Sequence, residues 1–193
     1  MRLLFIGPPG AGKGTQATRV ARELGVPHVS TGEMFRDHAA AGTELGQKVQ
    51  AIMAAGEYVP DELTVAMLEE RLAEPDAEQG FILDGFPRTE VQVAALDALI
   101  GADGLSGVVV FEVDEDELVG RLLTRGRVDD TEETIRNRFR VFRDQTAPLL
   151  EIYGGRGLLV SIDGMGGIDE VTRRIVAAIE SLRTTDYGER TTG

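Results

Sequence analysis

The sequence predicts an α/β fold, with a five-stranded parallel sheet between two layers of helices. Three observations predict it. Short apolar runs at residues 3–6, 27–29, 81–83, 107–113 and 158–162 alternate with longer segments of helical periodicity, the pattern of parallel strands joined by crossover helices. A glycine-rich stretch, Gly7-Pro8-Pro9-Gly10-Ala11-Gly12-Lys13-Gly14-Thr15, joins the first apolar run to the first helical one. Asp84 and Asp163 each close an apolar run, and the carboxyl ends of strands are where such sheets bind ligands. At 193 residues the chain suffices for one domain with a sizeable core.

Taken in order, Leu3-Leu4-Phe5-Ile6 suits a buried strand, and Ala17, Val20, Ala21 and Leu24 recur at helix-face spacing up to a stop near Gly25. The glycine-rich stretch therefore sits at a strand-to-helix turn, the context in which G-x-x-x-x-G-K is a phosphate-binding loop. Its glycines let backbone N–H groups converge on an anion. The helix N-terminus adds partial positive charge and Lys13 a full one. The hydroxyl usual directly after the lysine comes one place later, at Thr15, which argues against its usual contact with magnesium. The dinucleotide fingerprint G-x-G-x-x-G fails, because Thr15 stands where the third glycine should be.

The second strand leads into Ser30-Thr31-Gly32, which carries N-cap chemistry. From Thr31 to about Leu72 the pattern is helical, with breaks predicted at Gly42, Gly46, Gly56 and Pro60. That is more than a minimal crossover requires and reads as an inserted helical subdomain. The third strand ends at Asp84 and the turn Gly85-Phe86-Pro87-Arg88, before a helix whose apolar side is predicted at Val91, Ala94, Ala95, Ala98 and Leu99. After the fourth strand Asp114 and Glu117 cap a helix that runs to about Thr124. Residues 125–130 form a charged break. Asp130 and Glu133 then cap a long helix with Ile135, Phe139 and Phe142 inward, which Pro148 bends or interrupts. A last helix covers about 168–182, and the polar residues 184–193 read as a frayed, disordered tail.

Composition narrows the function. There are no cysteines, which removes disulfides, thiolate zinc sites and cysteine nucleophiles. The chain enters its first strand at once and has no run near the ~18 apolar residues of a membrane span, so a cytoplasmic protein without a membrane partner is expected. A formal net charge of −13 argues against nucleic acid. Lys13 and Lys48 are the only lysines among 20 basic residues. Arginine suits bidentate phosphate contacts, although codon bias explains the bulk count equally well, so the positions must decide.

Asp84 stands where an acid would hold magnesium through water, or it caps the following loop. Arg88 sits at a helix start, where a cation opposes the dipole unless an anion is near. Arg136 and Arg140 have acids four residues away, Glu132 and Asp144, and read as exposed helix pairs. Arg138 has no acid at helix spacing and borders the apolar stripe; Arg143 also lacks one. Arg121 could pair with Glu117. Arg125 and Arg127 flank Gly126, which suits either a charged turn or a lid closing over phosphate. His28 and His38 carry no signal beyond packing or surface positions.

Together these motifs resemble the adenylate kinases of the short-lid form. The resemblance covers roughly residues 1–183 and rests on Gly7 to Thr15, Ser30 to Arg36, Asp84 to Arg88, Arg125 to Asp130 and Thr146 to Leu149, in family order. It implies a P-loop three-layer fold with a CORE, a helical AMP-binding insertion at 30–59 and a short lid at 126–132. It implies that Gly10, Ala11, Gly12, Lys13, Gly14 and Thr15 hold the ATP phosphates, with Arg121 and the Gly166 backbone on the ATP base and Arg125 on its phosphates. On the AMP side it implies Thr31 and Gln92 at the base and Arg36 and Arg88 at the phosphate. Backbone at Glu57, Tyr58 and Val59 and the turn Gly85, Phe86 and Pro87 would line the same pocket. Arg127 and Arg138 would reach AMP and the transferring group. Lys13, Arg88, Arg125, Arg127 and Arg138 would be catalytic, and Asp84 would hold Mg2+ through water.

The implied reaction is reversible transfer from MgATP to AMP, giving two ADP, by a monomer. Two departures matter. The lid is a few residues long and the chain lacks cysteine, so no structural zinc is expected. Phe86 stands where adenylate kinases commonly have tyrosine and UMP/CMP kinases often have phenylalanine. Thr31 and Gln92 favour AMP over that alternative.

Overall fold

The structure, a computed structural model, describes residues 1–101, 104–127 and 130–189; at Asp116, Arg125 and residues 183–189 it describes the backbone alone. Strands β1 (Arg2–Ile6), β2 (His28–Ser30), β3 (Phe81–Asp84), β4 (Gly107–Glu112) and β5 (Leu159–Asp163) form one parallel sheet in the order β2-β3-β1-β4-β5. Each predicted strand is present, with ends moved by at most one residue. For β1, β3 and β4 the reason is burial on both faces, which makes such strands continuously apolar. Leu3 and Phe5 of β1 and Val109 and Phe111 of β4 enter one core; Leu4, Ile6, Val108 and Val110 enter the other. Alternation along each strand thus feeds two layers.

Helices α1 (Lys13–Leu24), α6 (Glu115–Arg125), α7 (Glu132–Val141) and α9 (Ile168–Glu189) cover the first face, with Val20, Leu118, Phe139 and Ile175 among their buried contacts. On the second face, α4 (Asp61–Leu72), α5 (Glu90–Ile100) and α8 (Leu149–Gly155) bring Leu68, Leu96 and Tyr153. Helices α2 (Thr31–Ala40) and α3 (Glu44–Ala54) meet α4 in a separate small core of Phe35, Val49, Val59 and Met67.

Four local expectations are corrected. Gly46 does not break a helix. It lies inside α3, where a Cβ would stand 2.1 Å from the His38 carbonyl oxygen, so only glycine lets α3 cross α2 this closely. On α5 the buried side is Gln92, Val93 and Leu96, while Val91 is 62 % exposed and Leu99 is also exposed. The helix is apolar nearly all round, so its pattern names no single face, and the polar partners of Gln92 choose the rotation. The cap of α7 is Thr131, whose Oγ1 accepts from the Thr134 N–H at 3.2 Å; Asp130 turns inward instead. Arg138 and Arg143, which lack acids at helix spacing, pair with Asp130 and Glu115.

After α7 the chain makes a π-helical turn, Phe142–Thr146, where the Ala147 N–H reaches the Phe142 carbonyl at 2.9 Å; α8 begins after Pro148. Helix α9 runs to Glu189, past its predicted end near residue 182, and residues 190–193 lie outside the described residues.

Candidate active site

Parallel pairing aligns the carboxyl ends of three strands. Phe5 and Ser30 both sit in register with Asp84, so the loops after β1, β2 and β3 open on one edge. A cleft of about 380 Å³ occupies it.

The loop after β1 enters α1 through Gly10 and Gly12, at φ of 83° and 86°. Both values lie in the left-handed region that glycine alone adopts at no steric cost. Helix α1 has neither a side-chain cap nor an acid in its first turn. The other helices with described first turns carry one or both: Ser30, Thr43, Thr89 and Thr131 cap α2, α3, α5 and α7, and α4, α8 and α9 begin with acids. An uncapped helix start leaves N–H donors for an anion. Lys13 Nζ donates to the carbonyls of Gly7 and Pro8 at 2.7 and 2.9 Å, which folds the ammonium back over the loop.

Asp84, at the end of β3, lies against this loop: a Cβ on Gly14 would stand 3.3 Å from its Oδ2. Burial pushes the carboxyl up, but His28, Lys13 and Arg88 together hold it below the ordinary carboxylate value. His28 Nε2 stands 3.6 Å from Asp84 Oδ2 and has no hydrogen-bond partner. That distance permits charge interaction and is too long for a hydrogen bond. A single ionised carboxylate beside a phosphate loop fits magnesium, which takes few protein ligands and keeps phosphate oxygens and water. Among the described residues no group of three or more acids, histidines or cysteines could hold a metal.

The turn after β3, with a cis peptide at Phe86–Pro87, aims Arg88 into the cleft. Arg88 Nε donates to the Gly85 carbonyl at 2.7 Å, and its guanidinium lies 4.7 Å from the centre of the Tyr58 ring. Tyr58 Oη bonds Thr146 Oγ1 at 2.8 Å, and Thr146 Oγ1 donates to the Arg88 carbonyl at 3.0 Å. Gln92 Oε1 accepts from the Arg88 N–H at 2.8 Å, and Gln92 Nε2 donates to Asp61 Oδ1 at 2.7 Å. Thr31 Oγ1 donates to the Gly85 carbonyl at 2.8 Å.

Across the cleft, Asp130 folds back over α7. Its carboxylate accepts from the Arg127 N–H at 3.2 Å and pairs with Arg138 at 3.0 Å, with the Asp130 side chain fully buried. Arg121 pairs with Glu117 at 2.7 Å and also reaches Met165 Sδ at 3.6 Å, so the predicted pairing and a cleft position are both present.

Lys13, Arg36, Arg88, Arg121, Arg127 and Arg138 thus line one cleft in a chain of net charge −13. Such focusing of one sign favours an anionic ligand. Gly10, Gly12, Gly14, Thr15, Thr31, Glu57, Tyr58, Val59, Asp84, Gly85, Phe86, Pro87 and Gln92 line it too. Ala11 is buried in the core beneath the loop, and Gly166, in the loop before α9, is not brought to the cleft lining. The Arg125 side chain and residues 128 and 129, in the stretch expected to form a lid, lie outside the description. His28 and Asp61 carry no sequence signal and are marked only by their neighbours across the fold; Thr146 lies in a motif of the resemblance, but its bracing of Tyr58 and Arg88 is seen only in the structure.

A phosphate loop at the first strand, an acid at the end of the adjacent strand and converging guanidinium groups define a P-loop phosphotransferase that handles nucleotides. Comparison with known proteins narrows this. The adenylate kinase family model matches residues 5–158. The adenylate kinase of Clavibacter michiganensis is 54% identical over 184 residues, covering 92% of each chain. That of Thermobifida fusca is 52% identical over 187 residues, covering 94% of this chain and 99% of its own. That of Stenotrophomonas maltophilia is 49% identical, covering 94% and 100%. The chain belongs to the adenylate kinase family.

Proposed function

We propose that the cleft performs the family's reaction, reversible transfer of the terminal phosphoryl group of MgATP to AMP to give two ADP, with the following division of labour. Backbone N–H groups from Gly10 to Thr15 cradle the ATP phosphates at the uncapped start of α1. Lys13 leaves the Gly7 and Pro8 carbonyls for the terminal phosphates. Arg121 and the Gly166 backbone take the ATP base. Arg36 and Arg88 hold the AMP phosphate, and Thr31, Gln92 and the 57–59 backbone hold its base. Arg125, Arg127 and Arg138 bear on the transferring group.

The acceptor is a phosphate whose second pKa is about 6, so it is largely ionised at neutral pH and needs no general base. Alignment and neutralisation of charge then carry the rate. Magnesium arriving with ATP neutralises phosphate charge, and Asp84 would hold it through water. Residues 126–132 act as the lid and 30–59 as the AMP-binding insertion; the separate core of Phe35, Val49, Val59 and Met67 supports the latter. Closure excludes water, which would otherwise compete as acceptor. We further propose a cytoplasmic monomer with no structural zinc and no nucleic-acid or membrane partner. Its acidity supports the exclusion of nucleic acid, and among the described residues no helix is long and apolar enough to cross a membrane.

One observation carries the reading: Lys13 and five arginines from separate elements converge on one cleft beside an uncapped helix. The test is ADP formation from ATP with AMP, CMP, UMP and GMP in turn. AMP is expected to be the best acceptor by a wide margin; comparable rates with CMP or UMP would overturn it.

A further inference from the structure

Gln92 is 1 % exposed, and both ends of its amide are engaged. Nε2 donates to Asp61 Oδ1 at 2.7 Å, and Oε1 accepts from the Arg88 N–H at 2.8 Å. The same Asp61 oxygen accepts from Thr89 Oγ1 at 3.0 Å, while Thr89 Oγ1 accepts from the Gln92 N–H at 3.2 Å. An ionised carboxylate only accepts and a backbone N–H only donates. Turning the amide over would set Oε1 against the Asp61 carboxylate and the NH2 group against the Arg88 N–H. Its orientation is therefore chemically determined.

A primary amide has two N–H donors and two acceptor lone pairs. With one of each engaged behind it, Gln92 retains one donor and one acceptor for the cleft it lines, while Asp61 stands outside that lining. The order of that pair decides which base it suits. A 6-aminopurine presents an acceptor at N1 and a donor at its amino group. A 6-oxopurine presents the reverse, a donor at N1 and an acceptor at O6.

We infer that Asp61 is a specificity-determining positioning residue: by holding the Gln92 amide in one orientation it makes the acceptor site prefer 6-amino over 6-oxo purine monophosphates. The inference rests on the reading that Gln92 faces the acceptor base. Asp61 also lies in the first turn of α4, where an acid stabilises a helix without touching specificity. The test must separate the two roles.

The experiment measures kcat and KM for AMP and for inosine 5′-monophosphate, which differ in the 6-substituent and the N1 proton. The proteins are the wild type, Asp61→Asn, Gln92→Ala and the double variant, each with a thermal melt. Asparagine at 61 both donates and accepts, so it withdraws one of the two constraints on the amide and leaves the Arg88 N–H as the other. Asp61→Asn is expected to lower the AMP-over-IMP ratio of kcat/KM about threefold, mainly through the KM for AMP, the Arg88 N–H still favouring the native amide orientation. Gln92→Ala is expected to lower it at least as far, with the double variant no lower than Gln92→Ala alone. An unchanged ratio in Asp61→Asn beside a reduced ratio in Gln92→Ala would overturn the role of Asp61 while sparing that of Gln92. An unchanged ratio in Gln92→Ala would overturn both. If Asp61→Asn does not fold, Asp61→Ser keeps an acceptor at the helix start, and the same ratio decides.

Discussion

The two sides of the cleft are built by opposite means. The phosphate-loop side is local: the loop between β1 and α1 supplies glycine geometry, a helix start and Lys13, whose ammonium rests on the carbonyls of Gly7 and Pro8. The Arg88 side is assembled from distant chain. Tyr58 lies under the guanidinium, Thr146 bonds both Tyr58 and the Arg88 carbonyl, and Asp61 holds Gln92, which receives the Arg88 N–H. A local device depends little on the rest of the fold. An assembled one transmits any loss of packing to the substrate. Lys13 should therefore be separable from stability, and Arg88 should not.

The sharpest break in that contrast comes from Lys13→Ala and Arg88→Ala. Each is expected to lower kcat by about 10²–10³, the loss typical of one preorganised charge-stabilising donor. Only Arg88→Ala should also lower the melting temperature, because it removes the cation over Tyr58 and the bond to the Gly85 carbonyl. Near-wild-type turnover in Arg88→Ala would refute its assigned role.

A smaller effect tests the Asp130 side of the cleft. Asp130→Ala removes the buried carboxylate that pairs with Arg138, whose side chain is 18 % exposed. Urea denaturation should reveal a loss toward the lower end of about 3–5 kcal/mol, the range for breaking a buried pair. No change in the midpoint would mean that solvent already screens the pair.

Smaller again is Tyr58→Phe, which keeps the ring under Arg88 and removes the hydroxyl bond to Thr146. A loss of about 1 kcal/mol should appear as a several-fold rise in the KM for AMP, with the KM for ATP unmoved. An equal rise in both would erase the distinction between the two sides.

The least is a titration. Asp84 is held below the ordinary carboxylate value, so the stability it contributes is present above its unfolded pKa of about 3.9 and is lost as pH falls through the lower folded value. Carboxyl NMR of Asp84 should find its midpoint below that of an ordinary aspartate, and Lys13→Ala should shift its titration upward.

Much of this was readable beforehand, for reasons the residues make plain. The phosphate loop is contiguous, and the central strands β1, β3 and β4 are almost wholly apolar. Elsewhere the one-dimensional signal was ambiguous or missing. Helix α5 is apolar nearly all round, so its buried face had to be chosen by Asp61 and Arg88 acting on Gln92. No acid stands at helix spacing from Arg138, because its partner Asp130 lies eight residues back on a segment that turns inward. Gly46 looked like a break because a glycine's sequence does not say whether its missing Cβ serves the backbone or a neighbouring helix. His28 had no local motif at all; only the pairing of β2 with β3 brings it to Asp84.

The amino-acid order alone set the alternation of strand and helix and the anion-binding turn, because each depends on residues a few places apart. Folding decided which arginines face one another across the cleft, which face of α5 is buried and which way the Gln92 amide points. Those depend on partners that include residues 31 and 88 positions distant, whose approach is governed by packing of the sheet and its two helical layers.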